Sequence, residues 1–210
     1  MYEKSEKNLI LASGSPRRIE MFKAHGFEPT IIKPNCDEDL PEGIGMEDAV
    51  MLLSLRKALE VERLVLSGNV PDTASQALPG AGSMIVAADT IVYHNGIIGK
   101  PTDRADAERI LTELAGDVHY VVTGVTLLQA GKPRRRTFAE ISEVHFKSYT
   151  AAELQGYLDT DEPYDKAGAY AIQGTFKKYI DRVTGDYNNI VGFPWDRYLK
   201  ELANFSKLKL

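Results

Sequence analysis

Two short segments of this sequence combine an apolar run with polar side chains that could do chemistry. In residues 11–18, LASGSPRR, a turn of small residues leads into a helix that Ser15 and Pro16 are suited to begin. The free N–H groups of a helix N-terminus, together with the guanidinium groups of Arg17 and Arg18, suit phosphate oxygens. A capped helix with two solvated arginines is the ordinary alternative, and spacing alone supports both interpretations equally.

The second segment is residues 86–92, VAADTIV, in which Asp89 ends an apolar run. A carboxylate at the end of a buried strand is poorly placed for simple solvation, and such strand ends commonly border a cleft in α/β sheets. Asp89 is therefore a candidate general base or metal ligand. For an isolated aspartate, a turn or helix-capping role is the commoner one.

Two lysines and an acidic pair are further candidates. Lys57 interrupts the apolar stripe of a predicted helix, and burying an unpaired ammonium is costly, although its stem could also snorkel to solvent. Lys100, in the tripeptide GKP, follows a predicted hairpin that could return it towards Asp89, although most lysines are simply solvated. Asp37 and Glu38 could hold Mg²⁺ through carboxylate oxygens, but a solvated acidic loop is the more frequent explanation.

Two later segments are rich in small residues that permit close approach of the backbone to a ligand. Residues 165–174, DKAGAYAIQG, carry polar groups on Lys166, Tyr170 and Gln173. Residues 185–194, GDYNNIVGFP, form a second such loop, whose asparagines can equally be turn residues.

Strand-like and helix-like segments alternate along the chain, which predicts an α/β fold. The predicted strands cover 8–12, 27–33, 84–88, 118–128, 136–146 and 176–183. The predicted helices begin at Ser15, at Met46 (46–64), at Thr102 (102–115), at the Thr150 capping box and at Trp195 (195–205). Residues 94–96, HNG, predict a hairpin, and 185–194 a loop. Residues 66–83, rich in Gly, Pro, Ser and Ala, indicate a surface-loop insertion in a single domain spanning 1–210.

Composition excludes several classes of protein. The chain has 210 residues and a formal net charge of -5, which disfavours binding to a nucleic-acid polymer because such binding needs a broad basic face. Its one cysteine, Cys36, cannot form an internal disulfide, which favours a reducing compartment. No apolar run is long enough for a membrane span or a signal peptide, so we expect a cytoplasmic protein without a membrane partner.

Eight segments, taken together and in order, resemble the Maf-like nucleoside triphosphate pyrophosphatases. They are residues 11–18, 37–38, 56–58, 87–92, 99–101, 121–125, 165–174 and 185–194. The resemblance covers nearly the whole chain apart from 66–83, and it implies an α/β fold with an elongated mixed sheet, flanking helices and two lobes around a nucleotide cleft.

The resemblance also implies a reaction, the cleavage of a nucleoside triphosphate between its α and β phosphates to give the monophosphate and pyrophosphate, with Mg²⁺ or Mn²⁺ as a cofactor. Asp89 matches the family's proton acceptor, and Glu38 matches an acidic position that would hold the metal together with Asp89. The positions that match its substrate-binding and phosphate-binding residues are Ser13, Arg18, Lys57 and Lys100.

Within the family, the sequence is similar to the branch that acts on dTTP and UTP. Arg17, Thr90 and Gln173 match that branch, and a sister branch that acts on 7-methyl-GTP typically departs at all three positions. Phe193 departs from the leucine that the family usually has. A nucleotide-binding regulator of cell division and septum formation is the alternative function, and modified pyrimidine triphosphates, removed by house-cleaning, are alternative substrates. A homodimer is expected on resemblance alone.

Overall fold

The protein is described by a computed structural model that covers residues 8–70 and 80–207. Its strands are β1 (Leu9–Ala12), β2 (Thr30–Ile31), β3 (Met84–Tyr93), β4 (Ile97–Ile98), β5 (Val118–Gln129), β6 (Arg135–Phe146) and β7 (Ile180–Thr184). Its α-helices are α1 (Pro16–Ala24), α2 (Met46–Ser67), α3 (Arg104–Leu114), α4 (Ala151–Leu158), α5 (Tyr187–Val191) and α6 (Trp195–Lys207). Two 3-10 helices lie at Ala167–Ala169 and Thr175–Tyr179. In the part of the chain described, no helix has the length and apolar character needed to cross a membrane.

The strands form one seven-stranded sheet, in the order β2-β1-β3-β5-β6-β7, with β4 paired to β3 off this path. Strand β1 is parallel to β2 and to β3, whereas β4 is antiparallel to β3 and β7 is antiparallel to β6. The predicted α/β class with a mixed sheet and flanking helices is confirmed.

The chain divides into two compact units. Of the described residues, the first unit contains 8–70, 80–89, 124–139 and 195–207, and the second contains 90–123 and 140–194. Strands β3, β5 and β6 each contribute residues to both units, and β3 passes from the first to the second between Asp89 and Thr90.

The core of the first unit is built where α2 packs on the parallel strands. Ala58 and Val61, on one stripe of α2, are buried together with Ile10 of β1 and Ile85 of β3. This packing fixes α2 against two strands that position candidate site residues, Ser13 just beyond the end of β1 and Asp89 within β3.

The second unit has an aromatic core, and where the chain enters this core the structure is a 3-10 helix instead of the predicted strand. Phe176 is fully buried, with its ring centroid 4.5 Å from that of Tyr157, 4.9 Å from Tyr179 and 5.2 Å from Phe146. To place this ring, residues 175–179 wind into a 3-10 helix, and the strand begins only at Ile180. The predicted strand over 176–183 is therefore wrong in its first half.

Other differences concern the ends of elements. The predicted strand 27–33 forms ladder pairs only over β2, and α5 lies inside the predicted loop 185–194, where the Asp186 side chain accepts the Asn188 N–H at 2.8 Å. Helix α2 continues to Ser67 and ends at Gly68, which has a left-handed φ of 71°. Of the predicted loop insertion 66–83, residues 71–79 lie outside the described residues.

A glycine in β5 should be essential for the packing of α2. A Cβ atom at Gly124 would lie 2.2 Å from the carbonyl oxygen of Val50, which is helix backbone and cannot rotate away. We expect Gly124→Ala to lower the free energy of unfolding in urea by about 2–3 kcal/mol, as overpacking does. The matched control is Gly156→Ala in α4, where no atom lies within 4 Å, and this change should raise stability by about 0.5–1 kcal/mol. Equal stability of the two variants would contradict this account.

Candidate active site

A lysine and two carboxylates form an ion cluster in the first unit. The Lys57 ammonium contacts Oε1 of Glu38 at 2.7 Å and also donates to Oδ1 of Asp89. The side chains of Lys57 and Asp89 are only 14% and 13% exposed, whereas that of Glu38 is 63% exposed. Lys57 therefore reaches two acceptors at the edge of the core, and the snorkelling alternative does not describe it.

The acidic loop that carries Glu38 is held in place by a neighbour of Lys57 on α2. Arg56 donates to the carbonyl oxygen of Asp39 and, at 3.4 Å, to that of Asp37. The Asp37 carboxylate accepts the Asp39 N–H at 2.8 Å, so it closes a turn. Sequence reasoning missed Arg56 as a positioning residue because a long-range contact from an arginine to backbone carbonyls leaves no periodic or spacing signal.

Asp89 lies inside strand β3 and not at its end. The strand continues to Tyr93 because Val92 and Tyr93 pair with Ile98 and Ile97 of β4. The predicted strand end at Ala88 is therefore wrong, although the predicted hairpin is confirmed by the pairing of these two strands. Asp89 avoids the cost of burial within a strand because Lys57 is its partner.

The turn before α1 is held by backbone and side-chain contacts. Ser13 is 4% exposed, and its hydroxyl accepts the Ser15 N–H at 3.1 Å. Ser15 is the N-cap residue and Pro16 the first helical residue, as predicted, but the Ser15 side chain makes no capping hydrogen bond. The Ser13 hydroxyl thus has a structural role in shaping this turn.

The two arginines of α1 have different surroundings. Arg18 is half-buried, and its guanidinium donates to the carbonyl oxygen of Ala88 at 2.8 Å, next to Asp89 in the chain. Arg17 is exposed. The structure therefore brings Arg18, Lys57 and Asp89 together around one point of β3.

The surroundings of this cluster shift the pKa values of its two cations in opposite directions. Burial acts to lower the pKa of Lys57, but the Asp89 and Glu38 carboxylates outweigh it, so that the pKa is raised above 10.5. Burial lowers the pKa of Arg18, although nearby Asp89 acts to raise it. Burial also raises the pKa of the Cys36 thiol, against the opposing effect of Lys57, which agrees with a structural thiol and not a reactive one.

In the second unit, Thr90 belongs to a network of polar groups. Its hydroxyl lies 2.9 Å from that of Thr123 and donates to the carbonyl oxygen of Gly192 at 3.4 Å. The Thr123 hydroxyl donates to the carbonyl oxygen of Asn189, whose buried side chain donates to Val121 at 2.9 Å. Thr90 and Asn189 thus connect β3 and β5 to the segment 185–194.

Lys100 and Gln173 are both exposed in the second unit. Lys100 lines a cavity of about 350 Å³ together with His94 and Arg109. The segment before it is joined to residues 165–174, because the Gly168 N–H donates to the carbonyl oxygen of Gly99 at 3.1 Å.

Replacing Lys57 with Met should remove a stability contribution that depends on its charge. Because the pKa of Lys57 is raised in the folded protein, the contribution is fully present below about pH 10.5 and is lost as the pH rises through the raised value. We expect Lys57→Met to lower the free energy of unfolding by about 2 kcal/mol at neutral pH, and this deficit to shrink as the pH rises above 10.5.

Urea unfolding of both proteins across this pH range measures the effect. Lys132→Met, on the exposed turn between β5 and β6, is the control and should show no such deficit. A Lys57→Met deficit that does not change with pH would show that the charge of Lys57 is not what stabilises this cluster.

Comparison with known proteins assigns the chain to a family. Residues 8–205 match the family described as Maf-like protein. The chain is 39% identical over 189 residues to the dTTP/UTP pyrophosphatase of Caldicellulosiruptor bescii, with 90% of this chain and 89% of the relative covered. It is 41% identical to the dTTP/UTP pyrophosphatase of Desulfitobacterium hafniense (94% and 84% covered) and 38% identical to that of Acetivibrio thermocellus (94% and 94% covered).

Among solved structures, the Staphylococcus aureus Ham1 protein matches with a TM-score of 0.48 and 12% identity, over 95% of this chain and 99% of that one. The family match and the identities to the curated relatives extend over nearly the whole sequence. The chain therefore belongs to the Maf-like protein family.

Proposed function

We propose that this protein hydrolyses dTTP and UTP to the nucleoside monophosphate and pyrophosphate. The observation that carries the proposal is the similarity of 90–94% of the chain to relatives named dTTP/UTP pyrophosphatase. The local structure supports it, because Asp89 is a poorly solvated carboxylate held by a charged lysine at the edge of the core.

In the proposed reaction, Asp89 is the proton acceptor. It takes a proton from water as the water oxygen forms a bond to the α-phosphorus, and the bond between this phosphorus and the α–β bridging oxygen breaks to release pyrophosphate. When Asp89 becomes neutral, its hold on the Lys57 ammonium weakens, while Glu38 still binds the ammonium from the other side. Lys57 is then available to the negative charge that builds up on phosphate oxygens.

Positive groups are needed because the triphosphate carries several negative charges. In the first unit, Arg17 is exposed and Arg18 and Lys57 are partly so, which suits them to bind phosphate oxygens. In the second unit, Lys100 is exposed and is the further cation proposed to bind phosphate oxygens. Their roles as phosphate ligands are part of this proposal.

A divalent cation, Mg²⁺ or Mn²⁺, belongs to the same proposal, and the donor set fits it. Glu38 and Asp89 supply carboxylate oxygens, and both already converge on one cationic group, the Lys57 ammonium. In the described part of the chain, no group of three or more His, Cys, Asp or Glu residues could hold a metal, so phosphate oxygens and water must complete the coordination. Glu38 and Asp89 would hold the ion, which when bound neutralises charge on the phosphate.

Selectivity for pyrimidines is assigned to Gln173. Thymine and uracil both present a carbonyl oxygen next to an N–H group, and a side-chain amide can donate to the first and accept from the second. Gln173 is exposed and free to face such a base, whereas Thr90 acts through its network in the second unit. A homodimer is proposed on family resemblance alone, and a cytoplasmic location on the single cysteine and the short apolar runs of the sequence.

The role of Asp89 is tested by Asp89→Asn, which keeps the shape of the side chain but cannot accept the proton. We expect turnover of dTTP and UTP, measured as pyrophosphate release with Mg²⁺ or Mn²⁺, to fall by about 10²-fold or more. Asp196→Asn, on the exposed face of α6 in the same unit, should keep wild-type turnover. Wild-type turnover by a folded Asp89→Asn protein would refute the assigned role.

The role of Gln173 is tested by Gln173→Ala across a panel of dTTP, UTP, modified pyrimidine triphosphates and purine triphosphates. Loss of the amide should reduce the ratio of kcat/KM for UTP over ATP by about tenfold or more, because the base then loses its paired hydrogen bonds. Gln155→Ala, which removes an amide from α4, is the control. An unchanged ratio in Gln173→Ala would place base recognition elsewhere.

A further inference from the structure

We propose that Glu162 is a positioning residue that sets pyrimidine selectivity by anchoring the turn that carries Gln173. The inference rests on the proposed function for its consequence, but the anchor itself is a property of the second unit that can be measured without substrate. Glu162 matches none of the candidate site residues derived from the sequence.

The anchor consists of three hydrogen bonds to one carboxylate. Oε2 of Glu162 accepts the backbone N–H of Thr175 at 3.0 Å and the Thr175 hydroxyl at 2.9 Å. Oε1 accepts the hydroxyl of Tyr157, a buried residue of α4, at 3.2 Å. The carboxylate thus links a helix of the second unit to the residue two positions after Gln173.

Gly174 shows how closely the carboxylate approaches the backbone. A Cβ atom on Gly174 would lie 1.9 Å from Oε1 of Glu162 and 2.4 Å from its carboxyl carbon. The φ of Gly174 is -91°, which any residue can adopt, so glycine is needed here for space and not for conformation. The space left by the missing side chain is filled by the carboxylate of Glu162.

The turn itself leaves Gln173 dependent on this anchor. The Gly174 N–H donates to the carbonyl oxygen of Ala171 at 3.1 Å, which closes the turn. Ala171 and Ile172 are buried before it, and Gln173 is exposed at its tip. The chain that enters the turn is fixed by packing, and the chain that leaves it is held by Glu162 at Thr175, before the buried Phe176.

Glu162 is in turn held by its own backbone. Its carbonyl oxygen accepts from the Lys166 ammonium at 2.9 Å, and its N–H donates to the Thr160 hydroxyl at 3.3 Å. Because both backbone groups are engaged, the carboxylate approaches Thr175 from a defined direction. Lys166, in the segment 165–174, thereby helps to hold Glu162 in place.

The chemical consequence follows from the geometry that base recognition demands. An amide that must donate to one atom of the base and accept from the next discriminates only when its position is fixed. If the residues that follow Gln173 are loosened, the same groups still bind phosphate and Asp89 still accepts the proton. The preference for pyrimidine over purine triphosphates is lost. Selectivity should therefore fall more than kcat.

The experiment compares the wild type with Glu162→Ala and Glu162→Gln. Hydrogen exchange followed by mass spectrometry reports on the anchor, and kcat and KM for UTP and ATP report on selectivity. In Glu162→Ala we expect exchange of the Thr175 amide to accelerate by about tenfold and the kcat/KM ratio of UTP over ATP to fall by a similar factor.

The Gln variant is the conservative rescue. Its carbonyl oxygen can accept both bonds from Thr175, while its NH₂ group donates to Tyr157, so exchange and selectivity should stay within about threefold of the wild type. Asp181→Ala removes an exposed carboxylate from β7 of the same unit and is the control for charge.

A double-mutant cycle makes the contact specific. Gly174→Ala should lower selectivity in the wild type, because its Cβ displaces the carboxylate, but should have little further effect in Glu162→Ala, where that group is absent. Additive effects would contradict a direct contact between these two positions.

The outcomes separate this inference from the proposed function. Faster exchange together with lost selectivity supports the inference. Unchanged exchange in Glu162→Ala refutes the anchor, and faster exchange with unchanged selectivity refutes its link to base recognition. A wild-type protein that releases no pyrophosphate from dTTP or UTP would refute the proposed function, while exchange at Thr175 would still decide whether Glu162 anchors the turn.

Discussion

The Lys57 ammonium, held between Asp89 and Glu38, is the contact on which the arrangement of the first unit depends. It joins α2, β3 and an acidic loop that have no sequence proximity. Each partner needs the others: an unpaired ammonium in the stripe of α2, or an unpaired carboxylate inside β3, would lose solvation without compensation. Arg56 also supports this cluster, because it donates to the backbone of the loop that carries Glu38. Because α2 packs on β1 and β3, its Lys57 side chain holds the Asp89 carboxylate at a defined position.

Neighbouring residues of strand β3 make two separate sets of contacts. Successive side chains on a strand point to opposite faces, so Asp89 and Thr90 serve different neighbourhoods. Asp89 joins the ion cluster of the first unit, and Thr90 joins a hydroxyl network with Thr123 in the second. A strand that ended at Ala88 could hold neither residue so firmly. The pairing of β3 with β4, which carries the strand past both residues, is thus part of what positions each of them.

Local signals predicted the elements whose cause is local. The capping box at Thr150 is where the sequence places it, because the side chains that define it lie within a few residues of each other. The 3-10 helix at 175–179 was not predictable, since it exists to bury Phe176 among rings that are distant in sequence. By contrast, the sequence did indicate the candidate residues Lys57 and Asp89, because each stands in an unusually apolar stretch. Glu162, in an ordinary polar stretch, gave no such signal, because its importance lies in one long-range contact.

The net charge of the chain and the local charge around Lys57 are different quantities with different consequences for binding. A formal net charge of -5 disfavours a polyanion surface but says nothing about a small anion, whose binding depends on a few groups at short range. Locally, Lys57 offsets one of its two carboxylate partners, so the trio alone keeps an excess of negative charge. A triphosphate would be repelled by that excess unless Arg17 and Arg18, or a divalent cation on Glu38 and Asp89, reversed it. The same carboxylates that would make a proton acceptor thus create a need for nearby positive charge, which the two arginines or a bound metal ion would supply in the proposed reaction.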